Sequence, residues 1–325
     1  MLRALWQELC RLVRLLVGAP APPGPPVAPP LPLGRTVDLP GRGETFIRRL
    51  AGDGPAVVLL HGWTATADVN WFRLYDSLEG YDVVAVDQRG HGRGIRSTER
   101  FRLEDCADDV AALLRCLDTG PAVLVGYSMG GPVALEVARR HPQAVAGLVL
   151  AATALSWRDD LLDRLRWRSM RLFELVLRSR LAGRVAARGV RQAVAGVPEA
   201  ARWERWLVAE LLRGDPRALA DAGRALGRHD ARPWASEVAH VPTSVIVTAR
   251  DGMVEPSRQR GLATALDARL VELPAGHEAP LRDGPALGEA VRGALDDLTS
   301  RRRASDRRGG GASGEPRSSR PAARR

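Results

Sequence analysis

Short aliphatic runs recur through the middle of this chain, and helical patterns fill the intervals between them. Residues 56–60 (AVVLL), 82–86 (DVVAV), 122–125 (AVLV), 145–150 (VAGLVL) and 244–247 (SVIV) are apolar at nearly every position. Strands that alternate polar and apolar have one wet face; runs like these suit strands covered on both. Residues 269–273 (RLVEL) add a further strand, and 35–40 with 45–50 read as an opening hairpin. Between them, residues 103–117 carry their acids early (Glu104, Asp105, Asp108, Asp109), where a helix dipole favours negative charge. Another helix runs from about 130 through Arg140 and stops near His141-Pro142. Strand and helix in alternation define an α/β class: a doubly wound, mostly parallel sheet with helices on both faces. In such sheets reactive groups collect at the carboxyl ends of the strands.

Residues 153–235 break the alternation. They hold amphipathic helical segments without a clear strand, and five of the eight tryptophans (Trp157, Trp167, Trp203, Trp206, Trp234). An all-helical insertion between two strands of such a sheet reads as a lid. The expected division is therefore an α/β core at 35–152 and 236–298, with the helical lid at 153–235.

Charge first suggests a nucleic-acid binder, because the net is +10 and all 48 basic side chains are arginine. Its distribution removes that reading for the folded part: residues 36–299 hold 35 Arg against 35 carboxylates. The excess lies at the ends, and within the middle the insertion has 17 Arg against ten acids over an acidic sheet. Residues 1–18 form an amphipathic helix, with Leu2, Leu5, Trp6, Leu9, Leu12, Val13, Leu16 and Val17 on one face and Arg3, Gln7, Glu8, Arg11 and Arg14 on the other. Two readings of it stay open: docking on protein, or lying on a membrane surface. Residues 19–34 are a stiff spacer, with eight prolines in 20–32. The Arg/Gly/Ser/Pro-rich residues 299–325 are expected to be disordered. Three cysteines (Cys10, Cys106, Cys116) form neither a disulfide framework nor a metal pattern. No apolar run reaches the roughly 18 residues that span a bilayer. The expectation is a cytoplasmic protein, with peripheral contact to anionic membrane through residues 1–17, the lid and the tail as the further reading.

Gly126-Tyr127-Ser128-Met129-Gly130 follows the 122–125 strand and opens a helix, which is the context a G-x-S-x-G nucleophile elbow requires. Gly126 and Gly130 let strand and helix pass closely, and the serine stands at the turn with the first helical amides facing developing negative charge. His61-Gly62-Trp63 follows the 56–60 strand, Asp87-Gln88-Arg89-Gly90-His91-Gly92 the 82–86 strand, and Gly276-His277-Glu278-Ala279-Pro280 the 269–273 strand. In this order and spacing the chain resembles the α/β-hydrolase superfamily, in its lidded branch of serine esterases, lipases and haloperoxidase-like enzymes, from about residue 35 to 298.

The resemblance implies roles. Ser128 matches the nucleophile, His277 the base and Asp251, after the 244–247 strand, the acid that orients the base. Asp159 or Asp160 is the fallback acid, since some relatives draw it from an earlier loop. Backbone N–H groups of Trp63 and Met129 match the oxyanion hole. Trp63, Tyr127 and Trp157 are candidates for the substrate pocket. His61 and His91 fall in loop motifs that the resemblance makes structural, and His141, His229 and His240 have no motif context. No metal or cofactor is called for: the chain lacks H-E-x-x-H, a Walker A sequence and a dinucleotide fingerprint. Serine rather than aspartate at 128 implies an acyl-enzyme. The leading expectation is hydrolysis of a small carboxylic ester, with an apolar acyl or alcohol group and lipid esters included. An acyltransferase or cofactor-free perhydrolase on the same triad, and a non-catalytic binding protein on the same scaffold, are the alternatives.

Overall fold

The structure, a computed structural model, describes residues 25–159 and 161–310, and the side chains of those up to Arg302. The helix expected at 1–18, the start of the spacer, Asp160 and the end of the tail lie outside the described residues. One eight-stranded sheet organises the rest, in the order β1-β2-β4-β3-β5-β6-β7-β8. The strands are β1 Leu33–Leu39, β2 Gly43–Leu50, β3 Ala56–Leu60, β4 Asp82–Val86, β5 Ala122–Tyr127, β6 Val145–Ala151, β7 Thr243–Thr248 and β8 Arg269–Leu273. The β1–β2 and β2–β4 pairs are antiparallel, and every other pair is parallel. The first strand begins two residues inside the stretch read as spacer.

Helix α1 is Ala67–Trp71, α2 Leu103–Leu117 and α3 Gly130–Arg140. After β6 come α4 Leu161–Arg168, α5 Met170–Arg178, α6 Ala182–Ala193, α7 Pro198–Ala201, α8 Glu204–Leu211, α9 Pro216–Leu226 and α10 Ala235–Val238. Helix α11 is Pro256–Ala265, α12 Ala279–Arg282 and α13 Gly284–Gly310. Two apolar layers sandwich the sheet. On one face Leu60, Val84 and Leu124 meet Leu113, Val133 and Leu262 of α2, α3 and α11. On the other, Leu59, Val83 and Val125 meet Trp71 of α1 and Leu287, Val291 and Leu295 of α13. The central strand β5 is buried along its whole length, which explains why it reads as an unbroken apolar run.

One expectation is corrected. Helix α13 continues to Gly310, into the stretch expected to be disordered. Arginine is a good helix former, and Arg301 closes an i, i+4 pair on Asp297 at 2.8 Å. Composition read the tail as structureless because it counts apolar residues and misses a helix extended from an anchored start.

The chain runs from β3 to β4 on one side of the sheet and then crosses to β5 on the other, so the order reverses between β3 and β5. Open parallel sheets bind their ligands at such a reversal, outside the carboxyl ends of the two strands. Ser128 ends β5 beside the loop that ends β3. The helical insertion between β6 and β7 stands over the same edge. Trp63, from the β3 loop, packs on Trp167 and Phe173, with ring centroids 5.6 and 5.1 Å apart. Its indole N–H donates to the Leu219 carbonyl at 2.8 Å.

Candidate active site

Ser128 is forced into position by its neighbours. A side chain on Gly126 would approach the Gly130 carbonyl oxygen to 2.4 Å, and one on Gly130 would reach the Leu60 carbonyl oxygen to 2.0 Å. Strand, turn and helix can therefore pass this closely only with glycine at both places. Ser128 itself takes φ +52°, a left-handed conformation that costs a non-glycine residue about 1–3 kcal/mol. The Ser128 N–H donates to the Ala151 carbonyl at 2.9 Å and the Gly131 N–H to the Ser128 carbonyl at 3.0 Å. These bonds hold the strained turn.

His277 follows β8, and its Nε2 lies 3.0 Å from Ser128 Oγ. Its Nδ1 lies 2.8 Å from Asp251 Oδ2. With a carboxylate at Nδ1, that nitrogen carries the proton and Nε2 is free to accept from the serine hydroxyl. Asp251 is buried yet fully partnered. Oδ1 accepts from the Met253 and Val254 amides at 2.8 and 2.9 Å, and Oδ2 also accepts from Thr248 Oγ1 at 2.8 Å. Burial alone would raise its pKa. The His277 hydrogen bond and charge, with the two amides, outweigh burial and hold the carboxyl below its ordinary value.

Behind Asp251 stands a residue that motif reading missed. Gln259 on α11 is fully buried. Its amide nitrogen donates to Thr248 Oγ1 at 2.9 Å and to the Val254 carbonyl at 2.8 Å, and its oxygen accepts the Thr248 N–H at 2.9 Å. The hydrogen bonds thus run Gln259 to Thr248 to Asp251 to His277 to Ser128. Nothing in its local sequence marks Gln259; only a buried glutamine eight residues after a candidate acid hints at it. Gln259→Leu leaves the Thr248 N–H and the Val254 carbonyl buried without partners. It should lower stability by about 2–4 kcal/mol, read by urea denaturation, and an unchanged midpoint would remove this role.

The other histidines stand apart from Ser128 and Asp251 in their hydrogen bonds. His61 Nε2 accepts the Gln88 N–H at 2.9 Å and Nδ1 donates to the Gly62 carbonyl at 2.8 Å, so neither nitrogen is left for catalysis. Burial lowers its pKa to about 4 and that of neighbouring His91 to about 3. Gln88 Nε2 also donates to the His61 carbonyl at 2.6 Å. The Asp87–Gly92 motif therefore braces the β3 loop rather than supplying a reactive group. His141 pairs with Asp108 at 2.8 Å, His229 is buried with its pKa lowered by burial to about 4, and His240 is exposed.

That loop stands against the serine. A Cβ on Gly62 would lie 3.3 Å from Ser128 Cβ, and the Gly62 N–H is fixed by Asn70 Oδ1 at 2.9 Å. The amides of Trp63 and Met129 have no acceptor among the described residues, so both are available to a ligand oxygen. The pocket candidates fare differently. Trp63 is half-buried against the insertion. Tyr127 lies behind His277, donating its hydroxyl to the His277 carbonyl at 2.9 Å, because strand alternation turns it from Ser128 toward Trp71. Trp157 is buried at the root of the insertion, its carbonyl accepting the Trp167 indole N–H at 2.6 Å. Asp159 is held by Ser156 at 2.6 Å and by Arg258 at 3.2 Å, so the acid at His277 is Asp251.

Comparison with known proteins agrees with this architecture. Residues 55–177 match the family model described as the alpha/beta hydrolase fold. The chain is 35% identical over 242 residues to the pimeloyl-[acyl-carrier protein] methyl ester esterase of Chromobacterium violaceum, covering 72% of this chain and 91% of that one. It is 32% identical over 157 residues to the 2-(acetamidomethylene)succinate hydrolase of Mesorhizobium japonicum, covering 47% of this chain and 56% of that enzyme's length. The structure of a thermophilic esterase from Thermogutta terrifontis superposes with a TM-score of 0.69 at 24% identity, over 82% of this chain and 99% of the other. An elbow serine over a reversing parallel sheet defines the class, and these matches fix the membership. The chain belongs to the α/β-hydrolase superfamily.

Among the described residues no helix is long and apolar enough to cross a membrane, and no group of His, Cys, Asp and Glu is arranged to hold a metal ion.

Proposed function

We propose that the protein is a serine hydrolase that cleaves a carboxylic ester through an acyl-enzyme, with the insertion as the lid over its site. The reading rests on one observation: Ser128 Oγ, His277 and Asp251 joined at 3.0 and 2.8 Å on a strained elbow. Ser128 Oγ attacks the ester carbonyl carbon as its proton passes to His277 Nε2. The carbonyl oxygen becomes an oxyanion opposite the amides of Trp63 and Met129. Collapse breaks the bond to the alcohol oxygen, which takes the proton from His277. Water, deprotonated by the same imidazole, then releases the acid. Asp251 stays ionised and stabilises the imidazolium. A relative named as a methyl ester esterase, aligned over 91% of its length, supports the ester linkage.

A fluorophosphonate probe should label Ser128 stoichiometrically, with the adduct mapped to the peptide spanning the elbow. Labelling elsewhere, or none, would sink the reading. A chain-length series of chromogenic esters should then show an optimum that reports the space beneath the lid. Added alcohol or peroxide measures how much of the acyl group leaves by a route other than water.

A further inference from the structure

The first two helices of the insertion expose an apolar stripe. Leu161, Leu162, Leu165, Leu172 and Leu175 are 57, 52, 44, 56 and 65% exposed. They are five of the ten large apolar side chains exposed among the described residues, and they fall within fifteen positions. The two helices are nearly one. The Ser169 N–H still donates to the Leu165 carbonyl and the Phe173 N–H to the Ser169 carbonyl, both at 3.1 Å. At 100° per residue, Leu161, Leu165, Leu172 and Leu175 lie in one line and Leu162 on its flank. The opposite side, through Trp167 and Met170, is buried against Trp63 and α9. The stripe is thus left over after the insertion has packed.

Charge selects what covers it. Arg164 and Arg171 border the stripe and Arg168 falls within it, and none of the three has an ion pair among the described residues. The nearby acids among the described residues are taken: Asp163 is buried against Arg166 and Arg258 at 3.1 and 3.0 Å, and Glu174 pairs with Arg178 at 3.0 Å. Arg171 also walls a cleft of about 340 Å³ in which Arg100, Arg217, Arg224 and Arg228 join it and outnumber the acids Glu174 and Asp221. A second copy seated on this face would bring arginines against arginines. An anionic lipid surface meets both needs: acyl chains take the leucines, and phosphates take the guanidinium groups.

We propose that α4 and α5 form a docking face for an anionic lipid surface. On the ester-hydrolase reading, on which this step alone rests, the substrate reaches Ser128 from that surface.

The test uses the full chain and sedimentation with vesicles of phosphatidylcholine, with and without phosphatidylglycerol. The wild type should bind the anionic vesicles. The Leu172→Glu/Leu175→Glu variant should bind on the order of tenfold or more weakly, while turning over a short, water-soluble ester as the wild type does. Ser128→Ala should bind vesicles like the wild type, so loss of docking and loss of chemistry are told apart. Leu5→Glu/Leu9→Glu, outside the face, should retain most of the binding. The proposal is overturned if the wild type ignores anionic vesicles, or if the Leu172/Leu175 variant binds them undiminished. It is also overturned if that variant instead abolishes a dimer seen by sedimentation equilibrium without lipid, which would make a second copy the occupant.

Discussion

Ser128→Ala will lower kcat on a chromogenic ester by about 10⁶-fold while leaving the fold intact. The size follows from what the hydroxyl does: without Oγ no acyl-enzyme forms, and only binding and the oxyanion amides act on water directly. The fold should survive because the Ser128 hydroxyl bonds no side chain but His277 among the described residues, while the turn is held by backbone bonds to Ala151 and from Gly131. Near-wild-type circular dichroism with turnover lost by several decades is the expected pair. Turnover within tenfold of wild type would mean that another group carries the reaction.

The second large effect is expected of Asp251→Asn, about 10⁴-fold in kcat. The carboxylate accepts from His277 Nδ1–H, so Nε2 is the free lone pair facing Ser128. An amide NH₂ at the same place favours the other tautomer and puts a proton on Nε2, toward the nucleophile. This variant also reports stability. Because the native carboxyl titrates below its ordinary range, ionised Asp251 adds stability above the unfolded value of about 3.9, and the gain is lost as pH falls through the lower native value. The stability gap between wild type and Asp251→Asn should therefore be flat near neutrality and close only in acid. A gap that widens in acid would reverse the sign and refute the assignment. Kinetics at several pH values and denaturation down to acid settle both points.

Much of this was legible because it is local. Strands β3 and β4 begin and end where the aliphatic runs do, since a strand buried at all but its first position has no wet face to blur its edge. Helix α1 left no such trace. It is five residues long and buried throughout, with Thr66 Oγ1 capping the Val69 N–H at 3.1 Å, too short for any period to show. The elbow could be read from five residues, but the acid and base came from chain order in a resembling family. Ser128 and His277 stand 149 positions apart and meet only through the order of the strands. Tyr127 and Trp157 illustrate the limit. An aromatic beside the nucleophile looks like a pocket wall until strand alternation turns it to the far face, and no single residue discloses which way its neighbour points. Gln259 escaped because a glutamine serves as buried scaffolding only in the company of Thr248 and Val254.

The insertion leaves the core and returns through one narrow opening. Ser156 and Asp230 form an antiparallel bridge, and the Ala231 N–H donates to the Leu155 carbonyl at 2.8 Å. Everything between them is closed off from the sheet's register. The entropy of closing such a loop grows only with the logarithm of its length, so the segment can lengthen, shorten or be replaced while the strands and the serine stay where they are. The entropic cost of trying a new insertion is small for this scaffold. A cassette cut at Leu155 and Ala231 is therefore the natural unit for exchanging this insertion between relatives.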